Sequence, residues 1–115
     1  MSKIAIVLRP DDARAASIHA VHVVTGIPVG EVASRVTRGD PVVEYTLFHN
    51  EHEDVARRLR ALVQVLATAG IEPDVYELSE GENVADVTNR SHVAITPQIL
   101  LNILDAHEEA MRADR

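Results

Sequence analysis

The sequence predicts an α+β fold whose elements run strand, helix, helix, strand, helix, strand, with one further helix at the C-terminal end. Three observations carry it. The first strand candidate is apolar on both faces. Two later stretches have strand composition and alternation. Four segments place apolar residues at helical spacing between recognisable start and stop signals.

Lys3 to Arg9 reads as a strand because Ile4, Ile6 and Leu8 alternate with Ala5 and Val7. A strand apolar on both sides needs cover on both sides. Pro10 ends it. Asp11 or Asp12 then N-caps a helix reaching about Thr25, with Ile18 and Val21 facing inward. Gly26 stands where that helix closes, at a position whose positive φ glycine tolerates. A short helix follows from about Pro28, its apolar side set by Val29, Val32 and Val36 at i, i+3 and i+7. Gly39-Asp40-Pro41 breaks the chain again.

Val42 to Phe48 is the second strand, by β-propensity and alternation. Asn50, with Glu53 three residues on, opens a helix whose stripe is Val55, Leu59, Leu62, Val63 and Leu66. Ala69-Gly70 stops it, and Pro73 to Leu78 is the third strand. Residues 79–94 read as a long polar connection in which Val84, Val87 and Val93 are the larger apolar residues. Thr96 N-caps the last helix and Pro97 takes its first position. Ile99, Leu100, Ile103, Leu104, His107 and Met111 line one side of it. That stripe needs burial, either over the open face of the sheet or against a second copy or partner. Cover of the sheet is favoured, because the long connection reaches across it.

A chain of 115 residues with 46% apolar content suits one domain: residues 1–78 as the core, and 79–115, the connection and last helix, as part of the same unit. There is no cysteine, which excludes disulfides, thiolate metal sites and cysteine catalysis. No apolar run spans a bilayer and the first residues lack a signal-peptide pattern, so a cytoplasmic protein is expected. The net charge is −7, and it is unevenly placed. Residues 1–60 carry eight basic and eight acidic side chains; residues 61–115 carry three basic and ten acidic. An acidic surface repels nucleic-acid phosphates and anionic lipid, which argues against both as partners; it fits a basic protein partner or, as the plainer reading, a solvated surface. Lys3 is the only lysine.

The stretch from Ala20 to Val32, with its Thr25-Gly26 hinge and Glu31, together with Leu66 to Glu72, resembles the C-terminal domain of the bacterial ribosomal stalk protein. The likeness spans residues 13–78. It implies a three-stranded antiparallel sheet with the helices on one face. It also implies a protein-binding surface on the first two helices, around His19, His22, Gly26 and Pro28. The lysine- and arginine-rich face of that family falls here on His19, His22, Gly30 and Ala33, which points to a changed partner. Leu8 to Asp12 resembles the Asn-Asp-Asp segment of the Clp protease adaptor that reads protein N-termini, with Pro10 in place of the asparagine. That likeness implies a peptide-binding role for Asp11 and Asp12.

Among the chemistry-bearing residues, His49, Glu51 and His52 cluster about a helix start and offer an alternative, a metal-binding protein or metal-dependent enzyme. The competing reading is a capped helix with acids at its positive end. His19 and His22, at i and i+3, could form a pH-sensitive contact or a metal pair, but two ligands alone make a poor site and partly exposed helix residues are the favoured reading. No phosphate loop, nucleophile elbow or acid-base pair appears. The leading expectation is therefore a non-enzymatic protein-interaction module without cofactor or metal, monomeric or dimeric through the last helix. A more specific form is an immunity protein or antitoxin that masks a basic toxin, with Glu72, Asp74, Glu77, Glu80, Glu82 and Asp86 as the contacting acids.

Overall fold

The computed structural model describes residues 2–12, 14–47, 52–79, 81–87 and 90–113. The strands are β1 (Ser2–Val7), β2 (Pro41–Thr46), β3 (Asp74–Ser79) and β4 (Ala94–Ile95); the helices are α1 (Ala15–Thr25), α2 (Val29–Arg38), α3 (His52–Thr68) and α4 (Pro97–Ala113). The sheet is antiparallel, in the order β2-β1-β3-β4. The expected sheet of three strands is thus corrected to four. The addition is the two-residue β4, which pairs Ile95 with Val75 and Ala94 with Tyr76 at the end of the long connection.

The alternation in β1 sorts the molecule into two layers. Ile4, Ile6 and Leu8 join Val21, Val32, Val36, Leu59, Leu62 and Leu66 in the main core. Ala5 and Val7 face the other way and pack with Tyr76, Leu78 and Val84, and Val87 and Val93 add to that smaller cluster. Leu100 and Leu104, fully buried, belong to the main core. The last helix therefore lies with the other helices instead of covering the opposite sheet face. The connection, through Val84, Val87 and Val93, provides that cover. Two short turns, Val84–Asp86 and Arg90–His92, give it local order.

Helix ends follow local chemistry. Gly26 closes α1 with φ 76°, its N–H bonded 2.8 Å from the His22 carbonyl, as its position predicts. Thr96 accepts the Ile99 N–H at 3.0 Å, the expected N-cap ahead of Pro97. Asp11 and Asp12 do not cap α1; they lie in a separate turn, Pro10–Asp12. The cap residue is Arg14, and the buried hydroxyl of Ser17, third in the helix, reaches back to it, accepting the Arg14 N–H at 3.2 Å and facing the carbonyls of Asp12 and Arg14. Ser17→Ala is expected to cost about 0.5–2 kcal/mol, the usual loss for a cap, measurable by urea unfolding.

Long-range polar contacts pin the layers. Lys3 bonds Glu44 at 3.0 Å and Asn83 at 3.3 Å, tying β1 to the edge strand and the connection. Arg60 of α3 reaches Asp105 at 2.8 Å and Glu108 at 2.7 Å on α4. Its hydrogen bond to Glu108 holds the guanidinium above its ordinary range. Along β2, Ile6 pairs with Val43 but Val7 with Pro41, which makes Val42 the extra residue of a bulge. Arg35 donates to the Val42 carbonyl at 2.9 Å and to Glu31 at 3.0 Å.

Candidate functional site

The corner between α1 and α2 is built by Thr25-Gly26-Ile27-Pro28, where the chain bends by 119° from one helix to the next. Several local bonds fix it. Thr25 Oγ1 donates to the Val21 carbonyl at 2.7 Å and accepts the Ile27 N–H at 3.2 Å. His22 Nδ1 lies 2.7 Å from the Ile27 carbonyl. His19 is exposed one turn earlier, its ring centroid 6.3 Å from that of His22. The structure thus brings His19, His22, Gly26 and Pro28 to one corner, and His22 has a structural role there that the sequence does not announce.

Sequence reasoning missed two residues of this surface. Val23 is 65% exposed and Val29 47% exposed, although Val29 reads as part of the inner stripe of its helix. The buried residues of α2 are Val32 and Val36 alone. A signal for Val23 exists: Val21 is buried, and a residue two positions on lies roughly 200° around the helix. From Ala15 to Ser34 the chain carries one charge, Glu31, and Arg35 engages it. The corner is consequently a neutral, partly apolar surface on a strongly acidic molecule.

The candidate acids are spread along and across the sheet. Glu72 and Asp74 lie at the start of β3 and Glu82 and Asp86 beyond its end, about 20 Å apart for a six-residue strand. Asp74 and Glu77 also face opposite sides of the sheet, since Asp74 pairs with Val7 and Glu77 with Ile4. Asp74 binds Arg9 at 3.3 Å, and this bond raises the guanidinium above its ordinary range. Glu82 accepts the Ser79 N–H at 2.7 Å, and Asp86 accepts an amide proton from Asn83 at 3.3 Å. These acids do not form one patch. Glu80 lies outside the described residues.

Of the metal alternative, His49 and Glu51 lie outside the described residues, as does the side chain of His52, whose backbone opens α3. Asp12 lies 3.6 Å from Arg14, and Asp11 is exposed. An open groove of about 450 Å³ runs between the end of α3 and the start of α4, lined chiefly by Val63, Ala67, Ile71, Pro73, Pro97 and Leu101. Of the acids expected to bind a partner, Glu72 alone lines it. No single helix among the described residues is long and apolar enough to cross a membrane. No family model, no curated protein and no solved structure matches the chain.

Proposed function

We propose that the chain is a non-enzymatic protein-binding module of the cytoplasm, related in fold to ribosomal stalk C-terminal domains, whose contact surface is the α1–α2 corner. The exposure of Val23 and Val29 on a stretch with a single, neutralised charge carries this reading. Contact surfaces of proteins are depleted in charge at their centres, whereas a solvated helix face is normally charged. The partner this surface fits is a protein presenting an apolar, uncharged face. The place agrees with the one that the stalk-domain resemblance implies, and the loss of basic residues there fits a partner of different chemistry.

The more specific form, masking of a basic toxin through the acids, relies on side chains that fall in two groups and are partly engaged within the chain. The two mechanisms differ in salt dependence. Contact through charge weakens as salt screens it, and contact through Val23 and Val29 does not. Parallel captures with the native chain and with Val23→Glu and Val29→Glu, at low and high salt, test this. The expected result is a partner held at both salt concentrations by the native chain and lost by both variants, with thermal melts unchanged. The same partner held equally by native chain and variants would sink the corner; release of it by salt alone would favour the acids.

A further inference from the structure

We propose that His19 and His22 are half of a divalent transition-metal site that two copies of the chain complete across a two-fold axis. The inference rests on the reading of the corner as a contact surface and names a second copy as its occupant.

The argument begins with His22. Its Nδ1 lies 2.7 Å from the Ile27 carbonyl, and a carbonyl only accepts, so Nδ1 carries the proton in this bond and Nε2 carries the lone pair. Proteins orient metal-binding imidazoles in this way, one ring N–H held by a carbonyl and the other nitrogen left as ligand. The corner that holds Ile27 in place thereby sets the tautomer of His22. His19 stands at i−3 on the same helix, with ring centroids 6.3 Å apart. Two imidazoles on one tetrahedral ion, at bond lengths of about 2.0–2.1 Å, hold their centroids about 5 Å apart. The pair closes by about 1 Å, within reach of a side-chain rotation of exposed His19.

The donor set indicates the ion. Imidazole without carboxylate suits zinc, copper or nickel, and it is a poor site for magnesium or calcium. Glu31, the single acid from Ala15 to Ser34, is held by Arg35 at 3.0 Å. Two ligands fill half of a tetrahedron. Among the described residues no three metal-ligating side chains of one chain converge; the remaining two ligands are placed on a second molecule. An isologous contact supplies the same two histidines again, making four. Exposed Val23 follows His22 on the same helix and exposed Val29 opens α2, so a second copy seated over this corner covers apolar surface as the ion is bound.

Zinc titration followed by light scattering tests the proposal. The native chain is expected to be monomeric in EDTA and to become a dimer with one zinc per two chains. His19→Ala, at an exposed position outside the core, is expected to fold as the native chain does, to lower zinc affinity by at least about tenfold, and to stay monomeric. A His49→Ala, His52→Ala double variant should still dimerise. Zinc binding without dimerisation, a zinc dimer that survives His19→Ala, or a dimer lost in the His49, His52 double variant would each overturn the proposal. The valine variants report on the corner separately: if they lose their captured partner while zinc leaves the native chain monomeric, the metal site fails and the contact surface stands.

Discussion

Leu104→Ala is expected to destabilise the fold by about 2–5 kcal/mol, the range for removing a fully buried leucine from a packed core. Leu104 has no exposed surface and shares one cluster with Leu59, Leu62 and Ile4, so its truncation leaves a cavity between α4 and the other helices. A domain of this size holds on the order of 5–15 kcal/mol in total, which makes this loss visible as a fall in Tm of roughly 10 °C or more. Ile99→Ala on the same helix is the control. Ile99 is 44% exposed, and its truncation should change stability by about 0.5 kcal/mol or less. Differential scanning calorimetry of the two variants decides the placement of α4. If Ile99→Ala proved the more damaging of the two, the helix would be rotated from the described position.

Val84→Asp is the second large effect, and it acts on the opposite side of the sheet. Val84 is 2% exposed and packs with Leu78 and Tyr76. An uncompensated buried carboxylate costs about 3–5 kcal/mol when it has no escape. Here the segment that carries it can detach, so the loss is limited to what docks the connection onto the sheet. The expected result is fast amide exchange over residues 81–87, while α1, α2 and α3 keep their protection. Uniform loss of protection throughout the chain would mean that the connection is indispensable to the main core. Unchanged exchange at 81–87 would mean that it does not cover the sheet.

These two experiments bear on the part of the fold that was not legible from residue patterns. The ends of helices were legible: Gly26 and Gly70 take positive φ where the chain stops, and Thr96-Pro97 starts α4. Such signals act over a few residues and do not depend on the rest of the chain. The strand β4 was not legible, because Ala94-Ile95 is too short to show alternation and is defined by its partner Val75-Tyr76. The buried side of α4 was ambiguous for a different reason. Ile99, Leu100, Leu101, Ile103 and Leu104 offer more than one apolar stripe, and packing buries Leu100 and Leu104 while turning Ile99 outward. The corner was legible as a place, through Thr25-Gly26, but its chemistry was not. The Nδ1 proton of His22 is set by the Ile27 carbonyl, a contact made only once the turn has formed.

The bulge at Val42 has a consequence for how the molecule behaves among its own copies. A sheet edge with a regular row of free N–H and C=O groups is a template on which further chains polymerise. On the outer strand of this sheet the row is interrupted three times within two residues: Pro41 has no N–H, Val42 is out of register, and the Val42 carbonyl is already filled by the Arg35 guanidinium. An incoming strand meets no continuous ladder at Pro41 and Val42, so pairing along that end of the edge is hindered by backbone chemistry, independently of the electrostatic repulsion between chains.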